Sequence, residues 1–189
     1  MLIGGEKYMN YSNEITVNIN RYDFEIHTDR FTIKPVTIKE AEMYYKEFDE
    51  EITKYQYADS FESIEAAREL IKNFIMLREA GINVMLSIFD RNNIFIGSIE
   101  IYGLNEKLPE LGIWICKNFW RKGYAYEVIK EVINYLNKFN NFEGFIYEAD
   151  RRNRESLKLI NKFNPIYKGF SEVLSDSGKK LELNKYIIK

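Results

Sequence analysis

Apolar residues between positions 125 and 136 recur at helical spacing, and this repeat constrains the fold more than any other feature of the sequence. The repeat occupies positions i, i+3, i+4, i+7, i+8 and i+11, which are Ala125, Val128, Ile129, Val132, Ile133 and Leu136. One face of this helix is apolar and must pack against another layer. Residues 111–116 have the composition of a buried strand. The sequence therefore places a strand, a short loop and a long helix in succession.

The remaining patterns alternate between strand and helix. Thr37 and Glu40 have capping-box spacing, which predicts a helix up to about residue 48. A second helix is predicted over residues 63–80, and Gly81 suits its C-terminal end. Asn153 can cap a last helix over residues 153–163. Strands are predicted at residues 31–36, 83–89, 94–102, 111–116, 142–149, 166–174 and 180–188, with a hairpin turn at 90–93 and an edge strand at 15–20. This order predicts an α+β fold with a mixed sheet.

Composition removes several classes of protein. The 189 residues suit one domain, and 27 Lys and Arg against 29 Asp and Glu leave a net charge of −2. Cys116 and His27 are the only residues of their types, so an internal disulfide, a cysteine cluster and a multi-histidine metal site are excluded. Near-neutral charge does not favour nucleic-acid binding, for which a strongly basic surface is expected. No apolar run is long enough for a membrane helix, and the first thirty residues lack a signal-peptide core, so we expect a cytoplasmic protein.

The loop between the strand at 111–116 and the long helix has the chemistry of an anion site. It contains Arg121, Lys122 and Gly123, directly before the unpaired N–H groups at the start of the helix. A phosphate or pyrophosphate would suit such a loop. The loop is neither a Walker loop nor a dinucleotide fingerprint, because it lacks their glycine patterns. The alternative is that Gly123 only permits a turn and that the two basic side chains are solvated.

Five segments in the same order resemble the GNAT superfamily of N-acetyltransferases, in its RimJ/RimL-type branch. They are residues 28–36 (TDRFTIKPV), 95–99 (FIGSI), 110–115 (ELGIWI), 120–127 (WRKGYAYE) and 153–157 (NRESL). The resemblance covers residues 28–189 and leaves residues 1–27 as an N-terminal extension. It implies a mixed, mostly antiparallel sheet of six to seven strands, splayed at its centre, with about four helices packed on both faces.

The resemblance also implies acetyl-CoA as co-substrate, with no metal. Backbone N–H groups of Arg121, Lys122, Gly123, Tyr124 and Ala125 would hold its pyrophosphate. Ile115 occupies the position whose backbone meets the thioester carbonyl, where an amide N–H would stabilise negative charge on that oxygen. Asn153 matches a residue that contacts the pantetheine arm, although it can also serve only as a helix cap.

Proton transfer needs a general base and a general acid, and the sequence offers candidates for both roles. Glu110 best matches the general base, with Glu100 on the neighbouring strand in reserve; an exposed carboxylate at a strand start is the alternative for Glu110. Ser156 is the candidate acid for the departing thiolate, or else a residue that bonds locally in the first turn of its helix. Many members of the superfamily have a tyrosine acid seven residues after the asparagine, where this chain has Ile160.

The predicted function is transfer of an acetyl group from acetyl-CoA to a primary amine, by direct attack in a ternary complex. The acceptor, a protein N-terminus or a small amine, would lie near the loop after the first helix, opposite the last strands. That loop contains acidic and aromatic residues suited to a cation, Glu50, Glu51, Tyr55, Tyr57 and Asp59. Two alternatives remain, a catalytically inactive coenzyme A-binding sensor on the same fold and an unrelated anion- or RNA-binding domain. The chain is expected to be a monomer or a homodimer.

Overall fold

The computed structural model describes residues 24–138 and 141–189, which form eight strands and five α-helices with short 3₁₀ turns. The strands are β1 (Ile26–His27), β2 (Phe31–Pro35), β3 (Asn83–Asp90), β4 (Phe95–Tyr102), β5 (Glu110–Ile115), β6 (Phe145–Asp150), β7 (Ile166–Leu174) and β8 (Lys180–Ile188). The helices are α1 (Ala41–Glu47), α2 (Glu50–Thr53), α3 (Ile64–Glu79), α4 (Tyr124–Leu136) and α5 (Arg154–Ile160). None of these described helices is long and apolar enough to span a membrane.

All eight strands join one sheet in the order β1-β2-β3-β4-β5-β6-β8-β7. Every neighbouring pair is antiparallel except β5 and β6, which run parallel. The α+β class and the mostly antiparallel sheet are confirmed, although the sheet has eight strands rather than six to seven. The additional strand, β1, falls within the predicted N-terminal extension and pairs with β2. Phe24 also lies in the core, stacked on Tyr135 at 5.2 Å, so the predicted boundary at residue 28 cuts through the sheet. The predicted strand at residues 15–20 lies outside the described residues.

Two apolar cores lie on opposite faces of the sheet. On one face, the stripe of α4 packs its buried residues Val128, Ile129 and Val132 against the strands. On the other face, α1 and α3 cover the sheet through residues such as Tyr44 and Ile71. The predicted arrangement of helices on both faces is therefore confirmed, because the period-2 alternation of the central strands supplies an apolar surface on each side.

Local signals set several of the element ends. The capping box forms as predicted, with the Thr37 backbone N–H donating to the Glu40 carboxylate at 2.6 Å. Gly81 ends α3 at a φ of 69°, which an L-residue rarely adopts. Asn93 in the β3–β4 turn and Asn164 after α5 also have left-handed φ angles, of 59° and 49°. The short helix α2 was not predicted, because its four residues are too few to show a helical period.

Candidate functional site

The edge of β5 that faces β6 carries backbone polar groups that β4 does not use. The Cys116 N–H donates to the Ile96 carbonyl at 2.8 Å, so this pair is hydrogen-bonded across β4 and β5. Hydrogen-bonded and non-hydrogen-bonded positions alternate along an antiparallel strand. Ile115 and Ile113 are therefore non-bonded positions with respect to β4, and their N–H and C=O groups point towards β6.

The parallel pair β5 and β6 is joined only at its start. Glu110 faces Ile146 in the single register pair, and the Ile146 N–H donates to the Pro109 carbonyl at 2.8 Å. Beyond that point the two strands separate, and we call the space between them the gap. Among the described residues, no β6 backbone pairs with Ile113 or Ile115. Two backbone N–H groups of one strand therefore face the gap, which confirms the predicted splay at the centre of the sheet.

Side-chain and backbone contacts fix the far end of β5. The indole Nε1 of Trp120 donates to the Ile115 carbonyl at 2.5 Å, which satisfies the acceptor of that residue. Gly97 lies opposite Ile115 at an irregularity of β4, with a φ of 153°. A Cβ on Gly97 would lie 2.2 Å from the Trp114 carbonyl oxygen, so β4 can approach β5 this closely only with glycine.

The loop that follows β5 has the geometry of an anion site. Arg121 and Gly123 both adopt left-handed φ angles, of 61° and 76°. Gly123 is the N-cap of α4 and provides no side chain to the first-turn N–H groups. The Lys122 ammonium donates to the Asn118 carbonyl at 3.0 Å and lies over the Phe119 ring. A helix N-terminus that no side chain caps, beside two cationic residues, suits a phosphate group.

Arg30, from the turn before β2, supports this loop from the side. Its guanidinium Nη1 donates to the Lys122 carbonyl at 3.2 Å and its Nε donates to Glu127 at 2.6 Å. The same guanidinium lies over the Tyr124 ring, 4.7 Å from its centroid. Glu127 also accepts a bond from Thr28 at 2.7 Å. The negative charge of Glu127 in the first turn of α4 is thereby neutralised.

Asn153 and Ser156 lie at the start of α5, beside β6. The Asn153 side-chain oxygen caps the helix by accepting from the Ser156 N–H at 3.1 Å. The Ser156 hydroxyl lies 3.0 Å from the Tyr147 hydroxyl, a buried group of β6. Burial raises the pKa of Tyr147, whereas the bond to Ser156 acts in the opposite direction. Sequence reasoning missed Tyr147, whose only signal is its position in the alternation of β6. Ile160, seven residues after Asn153, is fully buried.

The two candidate bases lie in different places. Glu110 is the first residue of β5, partly buried, where β5 is still paired with β4 and β6. Glu100 lies on β4 opposite Gly112, one residue from Ile113. A Cβ on Gly112 would lie 3.2 Å from the Glu100 Oε2, so the glycine makes room for this carboxylate over β5.

A chain of hydroxyl groups holds Glu100. Ser98 donates to the Glu100 Oε1 at 2.6 Å, and Ser98 accepts from the Tyr44 hydroxyl at 2.8 Å. The Ser87 hydroxyl lies 3.3 Å from that of Tyr44 and completes the chain. Burial raises the pKa of Glu100 to about 7, although hydrogen bonds from Ser98 and Trp114 favour its charged form. Desolvation by burial, aided by the nearby Glu100, also raises the pKa of Tyr44, so this phenol stays protonated.

The loop that carries the predicted acceptor residues contacts the turn between β7 and β8. Lys179, between β7 and β8, binds the Asp59 carboxylate at 2.9 Å and the Thr53 carbonyl at 3.0 Å. Tyr57 donates to Asp176 at 3.1 Å. Lys117 pairs with Glu51 at 3.2 Å and more closely with the neighbouring Asp49. Much of the acidic charge of this loop is therefore already paired within the chain.

The Cys116 thiol and the possible metal ligands also bear on the chemistry. Burial, with the nearby Glu47, raises the pKa of the Cys116 thiol to about 12, which does not suit a nucleophile. Within residues 24–138 and 141–189, no group of three or more His, Cys, Asp and Glu side chains is arranged to hold a metal ion.

Comparisons with known proteins agree with this geometry. The sequence profile of the acetyltransferase (GNAT) domain matches residues 30–164. The N-acetyltransferase YoaA of Bacillus subtilis, itself described as uncharacterized, is 32% identical over 114 residues, which are 58% of this chain and 64% of that protein. The chain thus spans less than two thirds of the length of this relative.

Solved structures share the fold. The acetyltransferase of Salmonella typhimurium that modifies the N-terminal serine of ribosomal protein L7/L12 has a TM-score of 0.74 and 18% identity over 88% of this chain and 100% of that one. RimL, the ribosomal L7/L12 α-N-protein acetyltransferase in complex with coenzyme A, has a TM-score of 0.73 and 15% identity over 87% of this chain and 97% of that one. With the profile match over most of the sequence, these likenesses confirm the predicted family, and the chain belongs to the acetyltransferase (GNAT) domain family.

Proposed function

We propose that the protein is an acetyl-CoA-dependent N-acetyltransferase that acetylates a primary amine by direct attack in a ternary complex. The observation that carries this proposal is the gap, where the N–H groups of Ile113 and Ile115 point away from β4 and find no partner on β6. Acetyl-CoA, when bound, supplies an activated acyl group and a thiolate leaving group. Backbone N–H groups at a fixed position are suited to hold a carbonyl oxygen as it gains negative charge.

The coenzyme side of the site is proposed to be the loop before α4. Backbone N–H groups from Arg121 to Ala125 would bind the pyrophosphate, and Asn153 would contact the pantetheine arm. Calorimetry with acetyl-CoA tests this assignment through Gly123→Asp, with Gly123→Asn as matched control. Both side chains tolerate a left-handed φ and have similar size, and no protein atom lies within 4 Å of a Cβ at Gly123. We expect the aspartate variant alone to lose affinity by tenfold or more because of its charge; equal affinities would refute the assignment.

For the general base, the geometry favours Glu100 over Glu110. Glu100 faces Gly112, next to Ile113, whereas Glu110 lies at the closed end of the gap. The distance along β5 from Glu110 to Ile115 is roughly 17 Å for five residues. A carboxylate with a pKa of about 7 is also well matched to accepting a proton near neutral pH. Replacement of each glutamate by glutamine distinguishes them, because only loss of the base should remove the acidic limb of the pH–rate profile.

On the thiolate side, Ser156 is the proposed acid and Tyr147 its positioning residue. The phenol of Tyr147, 3.0 Å from the Ser156 hydroxyl, restricts the orientation of that hydroxyl. Ser156→Ala should lower kcat more than it weakens acetyl-CoA binding. Tyr147→Phe should lower kcat less, and Ser156→Ala should abolish any further effect of Tyr147→Phe, since the two groups act as one unit. Independent, additive losses would remove Tyr147 from this role.

The acceptor is proposed to be a cationic amine, either a protein N-terminus or a small amine. Structural relatives include acetyltransferases that act on the ribosomal protein L7/L12, which makes N-terminal peptides the first substrates to test. The assay measures free thiol released from acetyl-CoA with peptides, polyamines, aminoglycosides and amino-acid derivatives. Tight acetyl-CoA binding without transfer to any of these amines would favour the inactive sensor, and absence of binding would refute the proposal.

A further inference from the structure

An arginine–aspartate pair, Arg152 and Asp150, lies at the open end of the gap. Alternate residues of β6 belong to the core beneath α4, so Asp150 at the end of the strand points to the opposite face, where the proposed base Glu100 lies. By the register of the single β5–β6 pair, Asp150 is level with Trp114, one residue beyond Ile113. The pair therefore lies on the acceptor side of the sheet, close to the proposed reaction site.

Asp150 holds the Arg152 guanidinium in one orientation. Its carboxylate accepts from Nε at 2.7 Å and from Nη2 at 2.6 Å, and Nη2 also donates to the Lys180 carbonyl at 2.8 Å. The Asp150 side chain is 0% exposed, whereas that of Arg152 is 48% exposed. The pair thus presents its positive end to solvent. The two N–H groups of Nη1 have no acceptor among the residues that the structure describes.

Two cations lie beside the ring of Tyr55, in the loop after α2. The Cζ of Arg152 is 5.8 Å from the ring centroid, and the Nζ of Lys54 is 5.3 Å from it. Lys54 is exposed and forms no ion pair within the described part of the chain. Other lysines near this face already have carboxylate partners, namely Lys117, Lys179 and Lys185. Lys54 and the outer edge of Arg152 are therefore available to one anionic group.

We propose that Arg152, Lys54 and Tyr55 bind a carboxylate of the acceptor, so that the substrate is an amine with an acidic group close to it. This inference rests on the proposed function and specifies its acceptor. A fixed guanidinium with an ammonium nearby is well suited to a carboxylate. The site is one strand position beyond Ile113, and an extended peptide spans about 3.5 Å per residue. The acidic group therefore belongs to the second or third residue of a protein N-terminus, or to an amino-acid derivative.

Paired substrates test this inference. Peptides that differ only by glutamate or glutamine at the second or third residue have the same length and the same amine. Amino-acid derivatives are compared as carboxylates and carboxamides. The acidic member of a pair should have a kcat/KM higher by about fivefold or more, through a lower KM and with kcat little changed. A preference confined to peptides identifies a protein N-terminus as the acceptor, and one confined to amino-acid derivatives identifies a small amine.

Three variants assign the preference to the site. Arg152→Gln should abolish it, and Lys54→Gln, which leaves the Asp150 pair intact, should reduce it by about twofold to threefold. The matched control is Arg151→Gln, because Arg151 also pairs with a carboxylate, that of Glu182, and lies over the Phe170 ring of β7. This control should keep the wild-type preference. Unfolding curves by circular dichroism establish that each variant is folded.

Binding of the same pairs in the presence of coenzyme A is measured separately by calorimetry. Equal affinities for the acidic and amide members of every pair would overturn the inference, as would a preference that survives both Arg152→Gln and Lys54→Gln. Absence of acetyl transfer to any amine would overturn the proposed function instead. Tighter binding of the acidic members that depends on Arg152 would still support this site.

Discussion

Ser98→Ala is expected to shift the acidic limb of the pH–rate profile to higher pH. Ser98 donates a 2.6 Å hydrogen bond to the Glu100 carboxylate and favours its charged form. A hydrogen bond to a charged group contributes about 1.5–3 kcal/mol. Division by 1.36 kcal/mol per unit gives a rise in the pKa of Glu100 by about 1–2 units above its value of about 7. At neutral pH, kcat/KM should then fall by about fivefold to fiftyfold, as the ionised fraction of the base decreases.

The measurement is kcat/KM from about pH 5 to about pH 9, with the best amine from the acceptor screen. The matched control is Ser87→Ala, which removes a buried serine hydroxyl at the far end of the chain of hydroxyl groups, 3.3 Å from the Tyr44 hydroxyl. The control should leave the limb within about 0.3 units of wild type, because it removes no donor to the carboxylate. The reasoning is refuted if the acidic limb of the pH–rate profile stays at its wild-type pH in Ser98→Ala. It is also refuted if that limb persists in Glu100→Gln.

The same carboxylate makes an independent contribution to stability. Its pKa is raised from 4.5 to about 7 in the folded protein, so folding favours the protonated form. This contribution is fully present below about pH 4.5 and is lost as pH rises through about 7, with an upper limit of about 3 kcal/mol. Urea unfolding across this range should show a decline that Glu100→Gln removes.

Three further predictions concern the surroundings of the site. Gly112→Ala should lower kcat by about tenfold, because the new Cβ would lie 3.2 Å from the proposed base; an unchanged kcat would mean that the carboxylate does not reach over β5. Arg30→Ala should weaken acetyl-CoA binding in calorimetry by about threefold to tenfold through the unpaired charge of Glu127, and the double variant with Glu127→Gln should recover most of it; equal losses would assign Arg30 to packing alone. Although burial opposes it, hydrogen bonds from Arg152 hold the pKa of Asp150 at about 2, a contribution present above about pH 4 and lost as pH falls through about 2. Arg152→Gln should therefore cost about 1–2 kcal/mol in urea unfolding at neutral pH and less in acid; a loss that does not depend on pH would contradict the ionic explanation.

Elements with strong local signals were predictable from the sequence. Three such elements are the apolar stripe of α4, the capping box at Thr37 and the end of α3 at Gly81. Each depends on residues within a few positions of each other, so its pattern can be recognised in the sequence. The basic loop before α4 was predictable for the same reason, since its charges and Gly123 are adjacent in sequence. β1 was not predictable, because its two residues show no period and depend on pairing with β2.

The partners of the proposed catalytic groups could not be read from the sequence. Tyr44 reaches Ser98 across 54 positions, and the contact exists only because α1 packs against β4. The preference for Glu100 over Glu110 depends on the pairing of β4 with Gly112 of β5, which is a matter of register.

The sequence alone determined the order of the elements, the helical stripe of α4 and the basic loop before it, since each depends on short-range spacing and on the conformational preferences of individual residues. Only the tertiary structure decided where β5 leaves β6, so that backbone N–H groups of Ile113 and Ile115 face a gap. Burial in the fold likewise gave Glu100 a pKa of about 7. The physical reason is that register and desolvation arise from contacts between distant segments, which form only when the whole sheet and its helices assemble.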